Sequence, residues 1–314
     1  MDRAATVCVV VLNFRGADDT IACLLSLDRL TYRDFAVIVV DNASGDESLA
    51  RIRTAVSGRV SYAVEFIQSP VNGGFAAGNN IGLRTALARR DGAYCWLLNN
   101  DTVVDPASLG ALVEAAEDDR RAGRRIGQYG AKLRDAARLD VIQAVGNTYN
   151  RWFGITRLIG EGQTDRGQFD TRPPRADLVN GASLFVRSEF VRDVGLIAED
   201  YFLYFEEHDW AERGRRKGWG LRIVPASVVH HKLGAAIGAV GSDRNNKSRL
   251  SDFCSVRSRL LFTARFHPAC LPTVYLALLG SIVLRLLRGQ WDRVPMIVRL
   301  AFTFWHTPDY TAIG

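Results

Sequence analysis

The chain begins with an unbroken apolar block. Thr6 to Leu12 reads TVCVVVL, with no polar side chain between Thr6 and Asn13. A half-exposed strand alternates polar and apolar positions. A continuous run rich in β-branched residues predicts a parallel strand buried on both faces. The period then changes. Apolar residues recur at helical spacing from Thr20 to Leu30, and a second continuous run fills Phe35 to Val40. Ser48 to Val56 predicts a helix, Val64 to Gln68 a strand, Gly78 to Arg89 a helix and Tyr94 to Leu98 a fourth strand. Four strand–helix alternations in the first hundred residues predict a doubly wound α/β sheet.

Beyond Asp105-Pro106 the pattern is less regular. Ala107 to Asp118 reads as a helix, and short irregular pieces follow. Arg157 to Pro174 is rich in Gly, Thr, Asp and Pro and predicts a mobile loop. Leu184 to Val186 and Ile223 to Pro225 read as strands, and Gly241 to Asn246 as a linker. One long apolar stretch remains, Leu271 to Leu284, interrupted by Pro272, Gly280 and Ser281. It falls short of the roughly 20 residues of a membrane span. With Arg285, Arg288, Arg293, Arg299, Trp291 and Trp305 nearby it predicts an interfacial helix, with a plain core-packing helix as the alternative.

Composition and charge add further constraints. Hydrophobic content of 47% and charged content of 24% are those of a globular chain, not a disordered one. The five cysteines are scattered, with no Cys-x-x-Cys pair, and are expected as buried, reduced thiols in the cytosol. Met1-Asp2-Arg3 leads straight into the first strand, so no secretory leader is expected. The net charge of +6 is uneven: Arg244 to Arg299 holds ten Lys/Arg against two acids, and the remainder is slightly acidic. That tail suggests an anionic partner: nucleic acid, phospholipid surface or diphosphate.

Candidate chemistry lies where the strands stop. Leu97-Leu98-Asn99-Asn100-Asp101 ends an apolar run in two amides and a carboxylate. In α/β sheets ligands bind outside the carboxyl ends of the strands, and a carboxylate there can hold a divalent cation against phosphate. An ordinary turn uses the same residues. Asp41 closes the second strand, where an acid can meet a ribose or base. Gly73, Gly74 and Gly78 follow the third and permit close backbone approach at a helix start, to an anion or simply to a tight turn. The first strand is followed by Asn13-Phe14-Arg15-Gly16 rather than G-x-G, which excludes a dinucleotide fingerprint, and no phosphate-loop motif occurs. Further on, Tyr201 to Trp210 sets four aromatics and a closing Trp around Glu206, Glu207 and Asp209. Acids desolvated by aromatics suit general-base work, whereas a solvated acidic helix start is the bland alternative. Two histidines, His230 and His231, follow the last predicted strand as metal ligands or structural groups.

The order of these pieces resembles the inverting family 2 glycosyltransferases of the GT-A fold, nearest the rhamnosyltransferase-like branch. VVLNFRG, VDNASGD, NGGFAAGNN, LLNNDT, NGASLFVRSEF, YFLYFEEHDW and VPASVVHHKLGAA occur in family order over about residues 6–236, with a fainter match near 255–267. The resemblance implies a mostly parallel Rossmann-like sheet flanked by helices. Residues 1–240 would be catalytic, with a donor-binding half to about 101 and an acceptor-binding half from 102, and 241–314 would be a basic helical extension. By the same resemblance Leu12, Asn13, Asp41, Asn72, Gly73, Gly74, Asn79, Asn99, Asn100 and Asp101 would bind a nucleoside-diphosphate sugar, with Arg257 or Arg259 helping on the diphosphate. Asp101 and His231 would hold Mg2+ or Mn2+. Gly181, Tyr204 and Trp210 would meet the acceptor, a glycan or polyprenyl-linked saccharide. Glu207 would be the base, with Glu206 or Asp209 as alternatives. Asn99 stands where the family's first D-x-D acid is usual, and Glu207 where Asp is common. The implied reaction is sugar transfer with inversion, dTDP-rhamnose being the expected donor, in surface-polysaccharide synthesis at the inner face of the cytoplasmic membrane. The tail would contact the membrane, or else a second subunit; nucleic acid is not expected. A catalytically degenerate nucleotide-sugar-binding protein is a competing class. So is a nucleotidyltransferase, although Asn13–Asp18 lacks the Gly-, Arg- and Lys-bearing loop expected of one.

Overall fold

A computed structural model describes residues 6–89, 92–232, 248–308 and 310. The expected linker at Gly241 to Asn246 lies outside them. Strands β1 (Thr6–Asn13), β2 (Phe35–Asp41), β3 (Ala63–Gln68) and β4 (Gly92–Asn99) are parallel, in the order β3-β2-β1-β4. Strand alternation explains why β1 is apolar from Val7 to Leu12. Val7, Val9 and Val11 pack with Cys23, Leu24 and Leu27 of α1 (Ala17–Leu27) and Ile52 of α2 (Ser48–Val56). Cys8 and Val10 face the other way, with Ala76 and Leu83 of α3 (Gly74–Ala88). Both faces are covered, so neither tolerates a polar side chain. All five cysteines are buried thiols.

The sheet becomes mixed past β4. After β5 (Thr102–Val104) and α4 (Ser108–Arg121) come β6 (Ile126–Asp135) and β7 (Arg138–Ala144), an antiparallel pair that the sequence pattern conceals. β8 (Asn147–Asn150) and β9 (Ile155–Leu158) form a separate hairpin. β10 (Ser183–Arg187) runs antiparallel between β4 and β6. α5 (Ser188–Val194) and α6 (Glu206–Arg216) precede β11 (Gly220–His231), which pairs parallel with β6 and antiparallel with β5. β11 is far longer than the expected Ile223–Pro225. The register with β6 jumps between Val224 and Val228, so Pro225, which has no N–H to give the ladder, sits in a bulge.

The expected mobile loop at Arg157 to Pro174 is not one. It begins inside β9, and backbone bonds tie Gln163 to Ile142 and Asp165 to Asp140. Lys132, buried in β6, donates to Asp165 at 2.8 Å and to Asp170 at 2.7 Å. Burial disfavours an ionised Asp165, yet Lys132 and Arg134 hold its carboxyl down at about 2. A buried ammonium needs this pairing.

Three helices complete the chain: α7 (Arg249–Phe266), α8 (Leu271–Leu287) and α9 (Arg293–Thr303). They share a core of Val256, Leu260, Val274, Leu278, Ile297, Leu300 and Phe304. Asp252 of α7 clasps Arg285 at 2.7 Å and Arg293 at 3.4 Å. Phe262 and Phe266 of α7 pack on Tyr201 and Phe205, next to α6, so these helices are joined to the rest of the molecule.

Candidate functional site

Register places Asn13, Asp41, Gln68 and Asn99 in a row at the carboxyl edge of the parallel strands, with Asp41 opposite both Asn13 and Gln68, and Asn99 opposite Leu12. Asp41 does not offer an open carboxylate. Its Oδ1 accepts from Asn13 Nδ2 at 2.7 Å and Ser44 Oγ at 2.5 Å, and its Oδ2 from Ser44 N at 3.1 Å and Gln68 Nε2 at 2.8 Å. These four bonds use the carboxylate's acceptor capacity. Asn13 and Ser44 are buried, whereas Gln68 is exposed and is the member of the network a ligand would meet first. Gln68 was missed because a polar residue at a strand end carries no signal of its own.

The glycine cluster packs protein against protein. α3 starts at Gly74, four residues before the expected Gly78. Gly74 has φ +82 and lies against the Phe202 carbonyl, Gly78 lies under the Leu12 side chain and Gly82 under Val10. A side chain at 78 or 82 would push α3 off β1. Asn72 Oδ1 accepts from Asn42 Nδ2 at 2.9 Å and Gly74 N at 3.0 Å, fixing the turn through Gly73. Asn79 is buried and bonds back to the Phe75 carbonyl one turn earlier in α3.

At the end of β4 the three polar residues separate. Asn99 is half-buried, its carbonyl fixed by Thr102 Oγ1 at 2.7 Å. Asn100 turns toward α1 and donates to Thr20 Oγ1 at 3.0 Å. Asp101 is 5% exposed, and its Oδ1 lacks a hydrogen-bond partner among the described residues. Alternation along β11 sends His230 to Asp105 and His231 to Asp101, with His231 Nε2 3.2 Å from Asp101 Oδ1. The other ring nitrogen, Nδ1, lies 3.0 Å from Gln143 Oε1 on β7. An N–H given to that acceptor leaves the unprotonated ring with a lone pair on Nε2, aimed at a carboxylate oxygen that also lacks a donor. Two lone pairs at 3.2 Å fit a cation between them, and Gln143 is the outer partner that fixes the tautomer. No group of three His, Cys, Asp or Glu side chains is suited to a metal among the described residues. Mg2+ commonly takes one or two carboxylates, with diphosphate oxygens and water completing the set, and Asp101 supplies one carboxylate here. Gln143 gave no sequence signal because its strand mixes polar and apolar residues without a clear pattern.

The acids open α6. The backbone just before them is strained: Phe202, Tyr204 and Phe205 have φ of +68, +67 and +71 without being glycine. Such conformations cost about 1–3 kcal/mol each and gather at functional sites. Glu206 is buried with Oε1 unpartnered among the described residues. Desolvation, then the adjacent Glu207 charge, pushes its carboxyl well above 4.5. The Glu207 side chain is 22% exposed, and His208 Nδ1 stands 3.9 Å from its Oε1. Burial raises Glu207, but the His208 imidazole outweighs it, and the carboxyl lies below 4.5. The neighbours thus divide roles: Glu206 holds a proton and Glu207 a charge. His208 is oriented by Thr156 of the β8–β9 hairpin, 2.7 Å from its Nε2.

Other expected contacts lie elsewhere. Asp209 is fully buried, held by Tyr201 at 3.0 Å, Arg213 at 2.5 Å and Arg265 at 2.9 Å, so it has no surface for an acceptor. Trp210 is likewise fully buried and donates to the Gly195 carbonyl. Asp209, two residues on from Glu207, falls on the opposite side of α6. Arg257, 1% exposed, donates to the Asp200 and His306 carbonyls and to Tyr310, and is closed off from a diphosphate. Arg259 packs its stem over Gly154 of the hairpin. Tyr204 is half-buried and bonds Ser251 at the start of α7, and Gly181 lies half-buried beside the Phe75 ring.

A parallel half-sheet ending in a polar row, a carboxylate–imidazole pair and a partly exposed acid suit a glycosyltransferase of the GT-A fold that uses a nucleotide sugar. Residues 6–179 match the family described as glycosyl transferase family 2, and the chain belongs to that family. It is 28% identical over 256 residues to the N-acetylglucosaminyl-diphospho-decaprenol L-rhamnosyltransferase of Mycobacterium tuberculosis (strain CDC 1551 / Oshkosh), covering 71% of this chain and 75% of that protein. Two solved structures share the fold. The mannosyltransferase PcManGT from Pyrobaculum calidifontis, in complex with GDP-Man and Mn2+, has a TM-score of 0.58 at 15% identity, covering 97% of this chain and 88% of that one. GalNAc-T7 with UDP, GalNAc and Mn2+ has a TM-score of 0.62 at 15% identity; 82% of this chain is covered, and it spans 48% of that longer chain.

Proposed function

We propose that this glycosyltransferase moves L-rhamnose from dTDP-rhamnose to a hydroxyl of a polyprenyl-linked saccharide or glycan in surface-polysaccharide synthesis, with inversion, at the cytoplasmic face of the membrane. The observation that carries the chemistry is the Asp101–His231 pair with its Gln143-set tautomer, at the sheet edge where the donor diphosphate belongs. Rhamnose and a polyprenyl-linked acceptor follow the name of the mycobacterial relative, and dTDP the family resemblance. Mg2+ or Mn2+ held by Asp101 and His231 would neutralise charge on the departing diphosphate. Glu207, ionised and partly exposed, takes the proton of the acceptor hydroxyl as its oxygen bonds the anomeric carbon. The bond from that carbon to the diphosphate breaks on the opposite side, releasing dTDP. Proton removal by a placed base contributes about 10²–10⁴-fold.

A second reading keeps the reaction and changes the donor to a UDP- or GDP-sugar, as in the solved relatives that hold UDP and GDP-Man. The test is a panel of dTDP-, UDP- and GDP-sugars incubated with Mn2+ and a polyprenyl-diphosphate saccharide. Release of dTDP with a labelled, inverted product supports the proposal. Turnover only with another donor overturns rhamnose, and donor binding without product favours a degenerate binding protein.

A further inference from the structure

The C-terminal helices leave a large apolar face that none of the described residues covers. At 100° per residue, Leu276, Leu279, Val283 and Leu287 fall on one side of α8, and Val274 and Leu278 on the opposite side. The second pair is buried against α7 and α9, while the first four are 63, 58, 53 and 78% exposed. α8 is therefore apolar all round in a place where only half of it is covered, which an ordinary surface helix is not. Pro268 to Leu287 is long and apolar enough to cross a membrane, with a mean hydropathy of 1.9. Crossing would strip Val274 and Leu278 from their core and break the Asp252–Arg285 pair. α9 adds Val298 and Phe302, four residues apart, and Trp291 and Trp305 flank it; all four are exposed. Arg288 and Arg299 are exposed beside Leu287 and Val298.

The β8–β9 hairpin extends this face toward the acids. Trp152, Phe153 and Ile155 at its tip are 50, 44 and 40% exposed. The Trp152 carbonyl accepts from Thr273 Oγ1 in the first turn of α8, and Gly154 lies against Arg259 and Val274. Four residues after Trp152, Thr156 bonds His208, the neighbour of Glu207. One short hairpin thus links an exposed aromatic tip to the candidate base.

We propose that the outer face of α8 and α9, with the hairpin tip, lies in the headgroup region of an anionic bilayer, and that the hairpin leads a lipid-linked acceptor from that bilayer to Glu207. The occupant follows from composition. Leucines and tryptophans flanked by arginines match an acyl boundary topped by anionic phosphates. The acceptor part rests on the polyprenyl-linked reading above; the docking part does not.

The test is sedimentation of the full chain with phosphatidylglycerol/phosphatidylcholine vesicles. Wild type should bind these and bind pure phosphatidylcholine less. Leu279→Glu with Leu287→Glu should weaken binding at least about tenfold, since each loses a buried leucine. Arg288→Glu with Arg299→Glu should abolish the preference for anionic vesicles. Trp152→Ala with Phe153→Ala should slow transfer to a polyprenyl-linked acceptor in vesicles more than to a short soluble analogue. No vesicle binding by wild type, or equal binding by the double leucine variant, overturns the docking surface. So does a solution dimer that the leucine variant dissociates while vesicles leave it unaffected. Equal slowing on both acceptors overturns the hairpin's role. A thermal shift by dTDP and Mn2+ is read separately, so failure of the donor reading is not confused with failure of the surface.

Discussion

Glu206 and Glu207 are adjacent and chemically similar, and the fold gives them opposite states. Replacing Glu207 by Gln removes the only ionised oxygen of the pair, so single-turnover transfer should fall by about 10²–10⁴-fold while the thermal shift by dTDP persists. Glu206→Gln replaces a group that is already neutral, so transfer should stay within a few-fold. The two variants together separate the neighbours that the sequence left as alternatives. Glu206 also couples stability to pH. The folded chain keeps its proton above 4.5, where the unfolded chain releases it. Its stabilising contribution is complete below that value and is lost as pH rises toward the folded pKa. The wild-type melting temperature should therefore fall relative to Glu206→Gln as pH rises above about 4.5 in matched melts. At the sheet edge, Asp101→Asn or His231→Ala should abolish the extra dTDP-induced thermal shift that Mn2+ gives to wild type. An unchanged shift in both variants would remove this pair from the metal site. The motif order exposed Asp101, His231 and Glu207 in the sequence. It could not show that Asp209, Trp210 and Arg257 face inward, because that depends on which side of α6 and α7 meets the core.

Elements buried on both faces were the easiest to read. β1, β2 and β4 are continuous apolar runs because helices cover each side, and their ends fixed the candidate residues. β6 and β7 were hidden because buried polar groups interrupt them, Lys132 paired with Asp165 and Gln143 serving His231. α7 was hidden for a similar reason: Asp252, Arg257, Ser258 and Thr263 are all buried, which blurs the apolar stripe of an amphipathic helix. The glycines after β3 were legible as a place of close approach, but the approaching group is Leu12 and Val10. Gly78→Ala should thus cost about 1–3 kcal/mol by overpacking, read as a lower urea midpoint with an unchanged slope.

At the level of the molecule, the C-terminal helices belong to the working unit. Arg265 of α7 pairs with Asp200 and Asp209, and Phe262 and Phe266 cover Tyr201 and Phe205. A chain ending at residue 247 should expose that aromatic cluster, melt earlier than the full chain and lose transfer even to a soluble acceptor. Equal activity in the truncated chain would show that α6 is held without them. The same contacts set an order in time. Tyr310 stacks on Phe202 at 4.0 Å and bonds Arg257, yet it follows Tyr201 by 109 residues. At the usual 5–20 residues per second of synthesis, roughly 5–20 s separate the two on the ribosome. The donor half can form its sheet during that interval, while the strained turn that presents Glu207 waits for its last supports.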